Sequence, residues 1–199
     1  MIIEECSSSE CIEIVDNLIG NSMGWWHAYY ATSCLKAGVC KVIVAKEHGN
    51  GIGVGLFYSL ESIGVGVIYY VAVNEEYRGL GIGKAIVLSI EEILSREGID
   101  IFLATTTEEN IPSIKMFRNL GYEVLYLYSF DVNHGYRISE TIQKLTCSYE
   151  DDLLLVKVEN VNKVVDYLIN IFKTSRARRI AEKIWYRICY SPWRRLRGY

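Results

Sequence analysis

Apolar residues along this 199-residue chain switch repeatedly between a helical period and a strand period. Ile12, Val15, Leu18 and Ile19 share one helical face. Ser7-Ser8-Ser9 with Glu10 reads as the helix start, and Gly20-Asn21 as its end. A second helix is predicted from Trp25 to Lys36, stopped by Gly38. The period then falls to two. Strands are predicted over Lys41 to Lys46 and Ile52 to Ser59, joined by the hairpin signal Asn50-Gly51. After a turn near Glu61-Ser62, a third strand runs from Gly64 to Val73. Past glycines 79, 81 and 83 the helical period returns with Ile86, Ile90, Ile93 and Leu94, and Gly98 stands where a C-terminal cap belongs. Ile99 to Thr105 is a nearly continuous apolar strand. Asn110 to Leu120 is a helix with Ile111, Ile114, Phe117 and Leu120 on one face, closed by Gly121, and Tyr122 to Phe130 is a further strand. This order predicts an α+β fold: a mixed, mostly antiparallel sheet flanked by helices, with one crossover making a parallel pair. Residues 1–130 are expected to form the main domain. Residues 131–199 are a C-terminal helical extension, docked on that domain or on a second subunit. It carries a strand at Leu153 to Val158 and helices at Val161 to Phe172 and Arg179 to Tyr190.

Composition agrees with a packed core, since half of the residues are apolar and disorder needs far fewer. No positive region precedes the short apolar start, and no apolar run nears the ~18 residues of a membrane span. The expectation is a soluble, cytoplasmic protein. Cysteines stand at 6, 11, 34, 40, 147 and 189, without a Cys-x-x-Cys pair or a histidine at ligand spacing. They are read as small buried hydrophobes in a reducing cytosol, in preference to disulfides or a metal site, so no metal is expected. Charge is uneven. From Lys173 onward nine basic residues face Glu182 alone, a net of +8, which leaves −11 on the first 172 residues. The basic tail is interleaved with Trp185, Tyr186, Tyr190 and Trp193, a pattern suited to RNA, a ribosome or an acidic membrane. Docking on the acidic body, or on the twin subunit of a homodimer, is the preferred reading.

The candidate chemistry lies at Arg78-Gly79-Leu80-Gly81-Ile82-Gly83. Glycines between a strand and a helix let a ligand approach the backbone, and the first amides of the helix lack internal partners at the positive end of its dipole. That arrangement suits a pyrophosphate. A nicotinamide-binding turn is the competing reading, with Asp100 about 20 residues downstream. Against it, Lys84 replaces the next glycine, and the turn follows an antiparallel meander.

Arg78, Gly81 and Gly83 also fill the Gln/Arg-x-x-Gly-x-Gly/Ala pattern of the GNAT superfamily of N-acetyltransferases. Asn110, Ser113, Phe117 and Gly121-Tyr122 match that family's second pattern in order and spacing. Residues 40–130 therefore resemble GNAT enzymes, with weaker agreement in the two leading helices. The resemblance implies acetyl-coenzyme A as cosubstrate. Its pantetheine arm would bond the backbone of Val71, Ala72 and Val73. The amides from Gly79 to Lys84, namely those of Gly79, Leu80, Gly81, Ile82, Gly83 and Lys84, would hold the pyrophosphate. Asn110 would bond the arm from its other side, although a simple helix cap explains the same residue.

The reaction implied is attack of a neutral amine on a thioester, which needs a proton acceptor, an oxyanion donor and a fate for the thiolate. A backbone N–H, that of Val71, is the oxyanion candidate. The family's usual thiolate acid is a tyrosine where this chain has Phe117, so that acid is missing. The usual glutamate positions on the strands fall at Val67 and Thr105. Tyr69 and Glu109, with Glu108, are the substitutes considered, although core packing for Tyr69 and a solvated helix start for the glutamates are the preferred explanations. Trp25, Trp26, His27, Tyr29 and Tyr30 cluster where the family's leading helices border the acceptor. The expected activity is N-acetyl transfer to a primary amine: a small molecule, polyamine, lysine or protein N-terminus. A non-catalytic coenzyme A-binding module is the alternative, supported by Phe117.

Overall fold

The computed structural model describes residues 1–6, 9–134, 137–148, 150–158 and 163–198. Ser7 and Ser8 of the expected helix start, and residues 161–162 of an expected helix, lie outside them. Contacts divide the chain into two compact units. The first holds Met1–Tyr58, Ile68–Arg96 and Arg187–Tyr199, and the second Ser59–Val67 and Glu97–Tyr186. The fold is mixed α/β with mostly antiparallel strands, as the residue pattern predicts.

In the first unit, β1 (Ile2–Glu5), β2 (Lys41–Glu47), β3 (Asn50–Leu60) and β4 (Val65–Val73) are neighbours in that order. β1 pairs antiparallel with β2, and β2 with β3. Alternation decides what each face buries. Val42, Val44, Val54, Leu56 and Ala72 face α1 (Ser9–Met23) and α2 (Trp25–Lys36), which contribute Val15, Leu18, Ile19, Ala28 and Ala31. On the other face α3 (Ile82–Arg96) lies against bare backbone. A Cβ on Gly53 would stand 2.9 Å from Ile86 Cδ1, and one on Gly55 2.5 Å from Ile86 Cγ2 and 2.8 Å from Ile90 Cδ1. Glycine at every second position is what lets α3 approach this closely.

The second unit contains the first residues of β4, then β5 (Ile101–Thr106), β6 (Glu123–Tyr126) and β7 (Leu153–Val158), in spatial order β4-β5-β7-β6. β4 and β5 form the expected parallel pair, Val65↔Ile101 through Val67↔Leu103. β7 runs antiparallel to both of its neighbours. The helices are α4 (Ile111–Asn119), α5 (Leu127–His134), α6 (Arg137–Thr146), α7 (Val164–Phe172) and α8 (Ser175–Trp185). α8 starts at a Thr174 cap, whose hydroxyl accepts from Ala177 N–H, and it buries Ala177, Ala181 and Ile184. Lys144 of α6 pairs with both Glu140 and Glu182, joining α6 to α8. A π-helical turn, Tyr186–Tyr190, leads to α9 (Ser191–Leu196), which belongs to the first unit. There Tyr29 Oη donates to Pro192 O, and Arg187 donates to Ala37 O. No helix among the described residues is long and apolar enough to cross a membrane.

Several expectations need correction. α1 passes through Gly20-Asn21 to Met23, and a Cβ on Gly20 would only touch Ala28 of α2 at an ordinary 3.7 Å. The break falls at Gly24, with φ 95°. The hairpin turn is His48-Gly49, both at positive φ, while Glu47↔Asn50 closes the ladder and Asn50-Gly51 starts β3. The register then shifts by one residue beside Ala45/Lys46, and this bulge absorbs the difference. The strand expected to reach Phe130 ends at Tyr126: the buried Leu127 and Phe130 are three apart, a helical spacing, and α5 begins there. The helix expected over Arg179 to Tyr190 starts at Ser175 and leaves α-geometry after Trp185.

The largest correction concerns cysteine. Cys6–Cys11 and Cys34–Cys40 are disulfides, and Cys147 and Cys189 are disulfide-bonded as well. No described cysteine is the free buried thiol that the sequence suggested. In the pairs Cys6–Cys11 and Cys34–Cys40 a helix and the end of an adjoining strand bring the sulfurs together.

Two measurements check this architecture. Gly55→Val forces branched carbons into the α3 contact and should cost about 2 kcal/mol of stability in urea unfolding, typical of overpacking. The paired change Cys34→Ser, Cys40→Ser should cost about 2 kcal/mol, from loop-closure entropy of a cross-link spanning six positions. Unchanged midpoints would remove either feature from the account.

Candidate functional site

In the first unit the end of β4 feeds a tight path into α3. Asn74 N–H donates to Ile52 O, and Asn74 Oδ1 accepts from Glu76 N–H, which folds Glu75–Tyr77 into a 3₁₀ turn. Arg78 Nε donates to Val73 O at 3.2 Å, so this guanidinium braces the last residue of β4 while remaining exposed. Gly79 and Gly81 then take φ of 80° and 81°, a region that side chains disfavour. A Cβ on either would meet nothing within 4 Å. These glycines are therefore required by backbone conformation, and the space beside them is open. Leu80 between them is 71% exposed, whereas Ile82 is buried and anchors the helix start next to Gly53.

Ala85 N–H donates to Gly81 O, the first bond of the helix. The amides of Ile82, Gly83 and Lys84 precede it and have no acceptor within the helix. Three N–H groups without a helical acceptor therefore stand at the positive end of a 15-residue helix, beside the open space at Gly79 and Gly81. Val71 and Val73 are half-buried and Ala72 is buried in the core face. β4, the turn and α3 thus bring together Tyr69, Val71, Ala72, Val73, Arg78 and the glycine run.

A hydrogen-bonded aromatic series also belongs to this unit. His27 Nδ1 lies 3.3 Å from Tyr70 Oη, and Tyr70 is hydrogen-bonded to Tyr69. The rings of Tyr69 and Tyr70 are 4.5 Å apart, and Tyr58 meets Tyr69 edge-on at 5.9 Å. Burial pushes the Tyr69 phenol well above its usual value, with Tyr70, Tyr58 and Tyr30 adding to the effect. Tyr58 is raised too, mainly by burial. Both remain neutral near pH 7. Sequence reasoning named Tyr69 and His27 but missed Tyr70 and Tyr58, because adjacent strand residues ordinarily point to opposite faces. Trp25 and Trp26 are exposed, at 68% and 38%, so the buried face of α2 is made by Ala28 and Ala31 instead.

The remaining sequence candidates lie in the second unit. Asn110 caps α4, its Oδ1 accepting from Ser113 N–H at 3.3 Å. Phe117 is buried and meets Tyr122 edge-on at 4.8 Å. Glu109 is exposed. Glu108 accepts from Tyr126 Oη at 3.4 Å, and its charge is the main cause that raises the Tyr126 phenol.

Comparison with known proteins places this arrangement. The family model described as Acetyltransferase (GNAT) family matches residues 16–122, more than half of the chain. The chain belongs to the GNAT acetyltransferase family. A mycothiol acetyltransferase of Thermobifida fusca is 31% identical over 90 residues, 45% of this chain and 25% of that protein. This chain's match thus spans a quarter of that curated relative. An acetyltransferase of the GNAT family from Staphylococcus aureus superposes with a TM-score of 0.61 at 13% identity, covering 79% of this chain and 98% of its own. A GNAT acetyltransferase from Elizabethkingia anophelis, solved with acetyl-CoA bound, gives 0.54 at 14% identity, over 79% and 97%. At such identities the structural likeness speaks for the GNAT fold alone.

The raised phenols have a measurable sign. A tyrosine whose folded value lies above 10 stabilises the fold below pH 10, and that contribution drains away as pH rises through its folded value. Melting temperature should therefore fall above about pH 10, and Tyr69→Phe should flatten that alkaline limb. Equal slopes for both proteins would show that Tyr69 is not held neutral by burial.

Proposed function

We propose that this GNAT acetyltransferase moves the acetyl group of acetyl-CoA to a primary amine, with the pyrophosphate on the amides of Ile82, Gly83 and Lys84. The observation that carries this reading is the pair of positive-φ glycines, 79 and 81, beside open space at a helix N-terminus. The backbone of Val71–Val73 is the proposed partner of the pantetheine arm, and Val71 N–H the proposed donor to the oxyanion. Asn110 caps α4 through its Oδ1.

In the reaction the amine nitrogen bonds the thioester carbon and the C–S bond breaks. One proton leaves nitrogen, and the sulfur departs as thiolate. Phe117 has no proton to give that sulfur, so its proton comes from water. The −11 balance of the first 172 residues favours approach of a cationic acceptor. Phe117 also favours a second reading, a coenzyme A-binding module without turnover. Thiol release from acetyl-CoA across a panel of small amines, polyamines and peptides separates the two: a turnover-dependent signal with any acceptor excludes the second.

The binding claim is tested with Gly81→Leu. Its side chain would enter the open space at an unfavourable φ, and acetyl-CoA affinity by calorimetry should drop at least tenfold, while circular dichroism keeps its helical and strand signal. Unchanged affinity in the folded variant would place the pyrophosphate elsewhere.

A further inference from the structure

The C-terminal segment of the first unit is held to α2 by backbone acceptors and buried apolar groups. Arg187 donates to Ala37 O at the end of α2, and Tyr29 Oη donates to Pro192 O at its middle. Ile188, Cys189 and Pro192 are the buried residues of the segment. Charge in the two elements is of one sign. Neither α2 nor the stretch from Arg187 to Gly198 contains an acidic residue, while they carry Lys36, Arg187, Arg194, Arg195 and Arg197. Arg194, Arg195 and Arg197 are exposed, and none has an ion-pair partner among the described residues.

Two of these guanidiniums are already ordered. Tyr190 and Trp193 stack at 6.0 Å with 23° between their planes, Arg194 lies over the Tyr190 ring at 6.0 Å, and Arg197 over the Trp193 ring at 5.2 Å. A guanidinium held against a ring loses less side-chain freedom when it meets a phosphate. The surface continues onto α2. Trp25 and Trp26 lie one helical turn before Tyr29, and Arg194 and Arg195 follow Pro192 within one turn. Both indoles are exposed and present ring surface to a flat group.

We propose that this surface binds single-stranded nucleic acid, with phosphates on Arg194, Arg195 and Arg197 and unpaired bases on Trp25 and Trp26. A guanidinium gives a phosphate a forked donor, and a base of any identity stacks on an aromatic ring. A duplex would offer its phosphates alone, because its bases are already stacked on one another. An anionic membrane is the poorer fit. Insertion calls for protruding aliphatic groups beside the cations, and on α9 Pro192 is buried and Leu196 half-buried. This binding is independent of acetyl transfer.

The test uses the full chain and fluorescein-labelled single strands of RNA and of DNA, about 12 nucleotides long, within the site sizes of single-strand binders. Anisotropy is followed over a range of salt. Wild type should bind at least one of the two strands. Replacing Arg194, Arg195 and Arg197 together by Gln should weaken binding at least about tenfold in about 50 mM salt. It should also lower the slope of log affinity against log salt by about 2, three phosphates at roughly 0.7 each. Trp25→Ala should weaken binding about tenfold and keep the slope, since stacking releases no counterions. Arg195→Glu, at a residue that takes part in neither ring contact, judges the charge should the triple variant lose its circular dichroism signal. The proposal is overturned by absence of binding in the wild type, by an unchanged slope in the arginine variants, by unchanged affinity in Trp25→Ala, or by a duplex held as tightly as the single strand. Retention on phosphatidylserine vesicles without binding to either oligonucleotide also overturns it and assigns the surface to a membrane. A dimer in sedimentation that the arginine changes dissociate, with no oligonucleotide bound, overturns it in favour of a second copy of the chain.

Discussion

The close seat of α3 on the backbone of β3 is the contact from which the rest of the first unit follows. Gly53 and Gly55 remove the side chains that would hold the helix off, and Ile82, Ile86 and Ile90 occupy the space. The helix axis is thereby fixed to the sheet at its first turn. The proposed pyrophosphate seat is made of amides that belong to that turn, so its position is inherited from packing a few residues away. Side chains deliver none of its donors. Backbone N–H groups cannot change rotamer, so preorganisation is obtained here from helix packing alone.

Charge is handled differently at the two kinds of group. The proposed pyrophosphate seat uses exposed backbone, where solvent moderates every interaction. The aromatic series on β4 and α2 is enclosed, and enclosure is what keeps Tyr58 and Tyr69 neutral. A chain that lacks the family's usual tyrosine at Phe117 still holds several phenols in another part of its fold.

Much of this was legible in the residues. The glycine run, the two family patterns and the 3.6-residue spacing of Ile86, Ile90 and Leu94 each rest on local rules, and the structure keeps all of them. Leu153 to Val158 was readable less strongly as one more strand, and nothing local says that it pairs with both β5 and β6. What local rules missed was set by partners distant in sequence. Gly20 reads as a helix stop until α2 is seen passing over it. Gly53 and Gly55 alternate in the sequence, but their meaning depends on the helix that lies above them. His48-Gly49 prevailed over Asn50-Gly51 because ladder register, not dipeptide preference alone, decides where a hairpin turns. Closer in sequence, the Cys6–Cys11 and Cys34–Cys40 pairs and the ring contact of consecutive Tyr69 and Tyr70 depend on side-chain placement that residue spacing does not give.

The two disulfides of the first unit have a mechanical consequence. Cys6–Cys11 ties the chain after β1 to the first turns of α1, and Cys34–Cys40 ties the end of α2 to the approach to β2. The helical hairpin that carries Trp25, Trp26 and His27 is therefore anchored at both of its feet, with Gly24 at its crown. A span held at both feet can bow at the crown, but it cannot swing away as a lid. Whatever adjustment the hairpin makes to a bound molecule is confined to its tip, where two indoles already face solvent.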